Sequence, residues 1–161
     1  HESVAEHSWR IALMAFWMKD EFPDVDIDKV IRMCLIHDLG ECFIGDIPTF
    51  AKTDADEARE EAELMAWVRS LPEPVSGEME ALYREMIALE TPEAKLYKAM
   101  DKLDAIVQHN ESDIATWEPH EYQLNMTYAD DAVAWSPVLR ELREAIRNDT
   151  KAKIAAAEQQ A

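Results

Sequence analysis

Only three glycines, Gly40, Gly45 and Gly77, stand among 161 residues that include 23 alanines. Hairpin turns need residues that accept positive φ, and helix interiors need residues that lose little entropy on ordering. This ratio therefore starves β-hairpins and favours helix along the whole chain. The predicted fold class is all-α. Hydrophobic residues make up 48% of the chain, enough for a buried core, and the length suits one domain. We expect residues 1–148 to form that domain and residues 149–161, rich in alanine and charge, to form a helical or frayed tail. The chain begins at His1 in helical material without a methionine, which reads as an upstream segment missing.

Charge narrows the partners. Asp and Glu number 34 against 16 Lys and Arg, for a formal net charge of −18. Such a surface repels polymeric nucleic acid and anionic membrane faces, so neither is an expected partner. A small anion can still bind where a local positive charge, such as a metal ion, holds it. Cys34 and Cys42 form no CxxC pair and read as buried free thiols of a reducing compartment. No apolar run has the length of a membrane span. A soluble cytoplasmic protein is the expectation.

Helical signals recur along the chain. A first helix is predicted from Ser3 to Phe22, with Ser3 and Glu6 as a capping box and Pro23 beyond its end. Its face Val4, His7, Ile11, Met14 turns inward, and a second stripe of Trp9, Leu13, Phe16 and Trp17 reads as further core. Asp26 or Asp28 caps a second helix that ends near His37-Asp38. A turn-rich stretch, 41–50, precedes a charged helix over 54–71 and a short one over 78–89. Thr91 and Pro92 open a long helix with Leu96, Met100, Leu103 and Val107 as its buried row. Residues 112–128 read as loop, Trp117 to Tyr122 as a cover for a pocket or a subunit contact, and Pro137 to Arg147 as helix. His109 and His120 read as surface residues.

Three of these helices place polar, metal-ligating side chains against apolar rows: His7 on the first, His37 and Asp38 at the end of the second, Asp101 on the long one. Two imidazoles with two carboxylates suit one divalent first-row transition metal, and the two negative charges offset the cation. Burying four such groups with no partner would be costly. Asp104, one turn past Asp101, could support a ligand or replace one. Arg10, one turn after His7, could reach a phosphate oxygen or pair with a neighbouring acid, and Lys52 is a weaker phosphate candidate.

The order His7, then His37-Asp38 thirty positions later, then Asp101 within Lys98-Ala99-Met100-Asp101-Lys102-Leu103 resembles the H…HD…D signature of the HD-domain metal-dependent phosphohydrolases. The strings Glu2-Ser3-Val4-Ala5-Glu6-His7-Ser8 and His37-Asp38-Leu39-Gly40-Glu41-Cys42-Phe43-Ile44-Gly45-Asp46-Ile47-Pro48 are similar to the 5′-deoxynucleotidase branch, whose members hydrolyse deoxyribonucleoside 5′-monophosphates. The resemblance implies an HD-domain helical bundle, commonly a homodimer, in which His7, His37, Asp38 and Asp101 hold the metal. Cobalt or manganese is the implied ion, with zinc, iron, magnesium or nickel also compatible. It implies general acid/base work for Glu41, and for Asp46 a part in sugar recognition or in guiding the attacking water. Members of the branch carry residues upstream of the first ligand that help read sugar and phosphate, and this sequence has no counterpart to them.

Overall fold

Side-chain caps set where most of the elements begin. In the computed structural model, which describes residues 3–45 and 53–159, helix α1 spans Val4–Trp17. The Ser3 hydroxyl accepts from the Glu6 N–H at 3.3 Å and the Glu6 carboxylate accepts from the Ser3 N–H at 2.8 Å, so the predicted capping box is formed. The helix stops five residues short of Phe22 because Lys19, Asp20 and Glu21 have no apolar surface to bury; they make a single 3₁₀ turn, Lys19–Glu21, instead. Helix α2 spans Ile27–Ile36, with the Asp26 carboxylate accepting from the Lys29 N–H at 3.0 Å.

Next come the short α3 (Glu41–Ile44) and α4 (Asp54–Ser70), the latter opened by a Thr53–Asp56 capping box. Helix α5 (Val75–Ala88) precedes α6 (Pro92–Glu111), which begins as predicted with Thr91 accepting from the Ala94 N–H at 3.2 Å and Pro92 in its first turn. The chain closes with α7 (Glu121–Thr127), α8 (Asp130–Val133) and α9 (Pro137–Glu158). Among the described residues there is no strand, and the fold is an all-α bundle. Beyond Arg147 the last helix continues without a break, and Thr150 is fully buried, donating to the Ile146 carbonyl at 3.1 Å and to Asn110 Oδ1 at 2.9 Å. No described helix is long and apolar enough to cross a membrane.

The middle of the bundle is α6, which packs against α1, α2, α5, α8 and α9. Its Leu96, Met100, Leu103 and Ile106 are buried, each side chain contributing about 1.5–3 kcal/mol by leaving water, while Val107 at the end of the predicted row is only partly covered. Helix α1 meets α2 and α6 through a narrow face of Ser8, Ile11, Ala12 and Ala15. These small residues allow close approach of the helices. Among the described residues little covers the opposite stripe: Trp9, Phe16 and Trp17 are 61%, 51% and 70% exposed and Leu13 is partly buried, so the second stripe is mostly surface rather than core. Trp67, also expected in the core, is 36% exposed on α4.

Further expectations change. The stretch 112–128 is not loop throughout: a 3₁₀ turn, Ile114–Thr116, and α7 fold it onto the end of α6. The reason is aromatic packing, because the Trp117 indole donates to the His109 carbonyl and to Ser112 Oγ, both at 3.1 Å, and its ring lies 5.3 Å from Tyr122 and 5.8 Å from His109. Trp117 is thus buried within this chain, and His109 is half-buried beneath it rather than on the surface. Of the two free cysteines only Cys34 is buried; Cys42 lies exposed on α3, a helix too short to cover it.

Candidate metal centre

Four ligand-type atoms from α1, α6 and the turn after α2 converge at one point. His7 Nε2 lies 3.3 Å from Asp101 Oδ1 and 3.9 Å from Asp38 Oδ2; His37 Nε2 lies 2.9 Å from Asp38 Oδ2 and 3.6 Å from Asp101 Oδ1. The ligand atoms of His7, His37 and Asp38 fall within 4.8 Å of one another. The imidazole rings are 5.1 Å apart and tilted, so they present edges to a shared space rather than stacking.

Each imidazole is fixed by its far nitrogen. His37 donates from Nδ1 to the Cys34 carbonyl at 2.9 Å, one helical turn back, and His7 donates from Nδ1 to Asp104 Oδ2 at 2.8 Å. Both rings therefore aim Nε2 at the cluster, the arrangement that orients histidine ligands in metal sites. His37 Nε2 is buried, and its 2.9 Å approach to Asp38 lacks hydrogen-bond geometry, leaving an inward nitrogen with no hydrogen-bond partner among the described residues. A divalent ion would satisfy that atom together with the two carboxylates, and the mixed nitrogen and oxygen set suits a borderline transition metal. Burial and then the Asp101 charge push the thiol of the neighbouring Cys34 up to about 12.

Electrostatics follow from this crowding. Burial alone would lower the His7 pKa, but the hydrogen bonds to Asp101 and Asp104 and the charges of Asp101 and Asp38 raise it to about 10. For His37 burial again opposes, and Asp101 and Asp38 raise the value to about 9. Burial would raise Asp101, yet the two imidazoles and Lys98 hold it well below the usual carboxylate range. In the metal-free state protons thus occupy the place of the cation.

The turn from His37 to α3 is held by i to i+3 hydrogen bonds: the N–H groups of Leu39, Glu41, Cys42 and Phe43 donate to Ile36, Asp38, Leu39 and Gly40. The chain stays nearly helical, so Glu41 follows Asp38 by one turn, partly buried at the start of α3. Gly40 permits this path, since a Cβ there would come within 2.7 Å of Glu60 Cγ on α4. Tyr83 of α5 donates to the Ile36 carbonyl at 2.5 Å and anchors the end of α2 directly before the His37-Asp38 pair.

Arg10 takes the second of its two expected courses: it pairs with Asp104 Oδ1 at 3.1 Å and donates to Glu111 Oε2 at 3.0 Å. It thereby supports the acid that orients His7. Asp46 and Lys52 lie outside the described residues. Sequence reasoning missed Gln108, which donates to Asp104 Oδ2 at 2.9 Å, and Lys98, whose Nζ donates to Asp101 Oδ2 at 2.7 Å. Both were signalled by helical spacing, because Lys98, Asp101, Asp104 and Gln108 recur every three or four positions along one edge of α6. Beside the cluster opens a cleft of ≈ 320 Å³ whose wall includes His37, Lys98, Tyr97, Tyr83, Glu60 and Glu61.

Known proteins resemble this chain. The family model described as HD domain matches residues 1–143. Human 5′-deoxynucleotidase HDDC2 is 32% identical over 124 residues, covering 76% of this chain and 60% of that protein. The Bos taurus protein of the same name is 35% identical over 112 residues, covering 68% of this chain and 54% of its own length. The chain therefore spans between half and three fifths of these two relatives. Among solved structures, a predicted metal-dependent phosphohydrolase from Magnetospirillum magnetotacticum MS-1 superposes with a TM-score of 0.76 at 31% identity, covering 94% of this chain and 79% of that one.

Proposed function

The chain belongs to the HD-domain family, and from that premise we propose that it is a metal-dependent phosphomonoesterase releasing phosphate from deoxyribonucleoside 5′-monophosphates. The observation that carries this reading is the convergence of His7 Nε2, His37 Nε2, Asp38 Oδ2 and Asp101 Oδ1, with both imidazoles locked by their far nitrogens. These four residues hold one divalent ion, cobalt or manganese by the family resemblance. When bound, such an ion supplies a water of lowered pKa and a Lewis acid for a phosphate oxygen.

The protein's own part is positioning and proton transfer. Asp104, Gln108 and Arg10 hold His7, and the Cys34 carbonyl holds His37. Glu41, one turn past Asp38, takes a proton from the attacking water or gives one to the departing 5′-oxygen as the P–O bond breaks. Asp46 keeps the role the family motif suggests, in sugar recognition or in guiding the water. Glu60 and Glu61 in the cleft wall disfavour a chain of further phosphates, which supports a monophosphate over a triphosphate or an alarmone. The catalytic unit is residues 1–148; the part of α9 beyond them packs back on it through the buried Thr150. The exposed Trp9, Phe16 and Trp17 supply apolar surface for a homodimer, a reading that sedimentation at only 18.5 kDa would remove. Two free thiols suit a reducing, cytoplasmic setting.

Protein loaded with cobalt or manganese is expected to release inorganic phosphate and a deoxynucleoside from these monophosphates. Asp38→Ala should abolish the activity while the helical circular dichroism persists. Full activity in that variant, or pyrophosphate or tripolyphosphate as the product, would reject the reading.

A further inference from the structure

On the phosphohydrolase reading, a cation of the chain itself beside the metal would help receive the phosphoryl group, and the described residues narrow the choice. Arg10 is committed to Asp104 and Glu111. Lys102, next to Asp101 in sequence, turns away to Asp131, 3.0 Å from Oδ2. Within the described wall of the cleft, Lys98 carries the one ammonium or guanidinium group, and Glu60 and Glu61 of α4 line the same wall.

Its placement is specific. Asp101 uses its two oxygens on different partners: Oδ1 lies 3.3 and 3.6 Å from the imidazole nitrogens, whereas Oδ2 accepts from Lys98 Nζ at 2.7 Å. The ammonium is thus held one carboxylate width from the ligand cluster. An ammonium has three N–H donors, and one of them satisfies Asp101, which leaves donors for an anion in the cleft. The side chain is 37% exposed, so a ligand can reach it. With the Glu60 and Glu61 carboxylates in the same wall repelling an anion, Lys98 is the favourable contact there for a doubly charged phosphoryl group.

We propose that Lys98 binds the phosphoryl group of the substrate, tethered for that purpose by Asp101; the proposal rests on the phosphomonoesterase reading above. A lysine that served only to orient Asp101 would affect metal retention, whereas a phosphate-binding lysine affects recognition of the anion.

Lys98→Met and Lys98→Arg in the cobalt-loaded protein separate the two. Metal content is read by elemental analysis, inorganic phosphate binding by titration calorimetry, and kcat and KM with a deoxyribonucleoside 5′-monophosphate. We expect Lys98→Met to keep the metal content of the unaltered protein, to weaken phosphate binding and raise KM by roughly 10- to 100-fold, and to change kcat less. Lys98→Arg should recover most of the phosphate affinity. Phosphate binding and KM unchanged in Lys98→Met, or a loss of metal with unchanged phosphate affinity in the protein that retains it, would overturn the assignment. Should Lys98→Met lose its helical circular dichroism, Lys98→Gln is read by the same measurements and the same criteria. Unaltered protein that holds metal yet neither binds phosphate nor hydrolyses the nucleotide overturns the phosphomonoesterase reading itself, and this assignment with it.

Discussion

Asp104 is fully buried, accepts from both His7 and Gln108, and lies 3.1 Å from the Arg10 guanidinium. Replacing it with Asn keeps the volume but removes the charge that fixes the His7 tautomer. We expect Asp104→Asn to lower metal affinity by roughly 10- to 100-fold, read by metal titration against a competing chelator; unchanged affinity would deny Asp104 a supporting role. The protons that occupy the metal-free site make a second test. His7 and His37 rise from 6.5 to about 10 and about 9 on folding, so their stabilising contribution is complete below pH 6.5 and is lost as pH climbs through 9 and 10. Chelated protein should therefore show a falling Tm between pH 7 and 10. Loading with metal at pH 7.5 should release protons to the buffer, measured by calorimetry in buffers of different ionisation enthalpy; no release would contradict protonated imidazoles. At this scale the ligand-type residues were legible in the sequence, since inward histidines and a helix-edge aspartate follow from periodicity. The pairing of Lys98 with Asp101 follows from their spacing along α6, but the place of Lys98 in the cleft wall was not legible, because a lysine on a helix edge reads as solvated until the fold supplies its neighbours.

Helix α6 presents an apolar row to the core and a polar edge to the site, so its packing sets the position of Asp101. Leu103 is fully buried two positions further on. Leu103→Ala should cost about 2–5 kcal/mol in denaturant unfolding, with activity lost in proportion to unfolding; a cost below about 0.5 kcal/mol, the range of surface substitutions, would show that the bundle relaxes around α6. Capping residues made several helix starts readable, as with Ser3, Asp26 and Thr91, because a cap is a local interaction within three residues. Helix α1 misled the sequence reading for the opposite reason. Two apolar stripes look alike in a linear sequence, and only contact with α2 and α6 reveals that the small-residue face is the buried one.

Over the whole molecule the formal charge of −18 acts on any anionic substrate approaching the cleft. Screening this field should raise kcat/KM for a nucleotide monophosphate as ionic strength increases from about 10 to about 100 mM, the range in which the Debye length contracts from about 30 to 10 Å. A steady fall over the same range would mean that local cations outweigh the global charge. Composition made this repulsion legible, and with it the need for local compensation, but the place of that compensation depends on how distant segments meet. One phenol joins two of those segments. By bonding to the Ile36 carbonyl while lining the cleft, Tyr83 ties that wall to the end of α2: a wall that spread for a bulkier guest would pull on the very turn that carries His37 and Asp38.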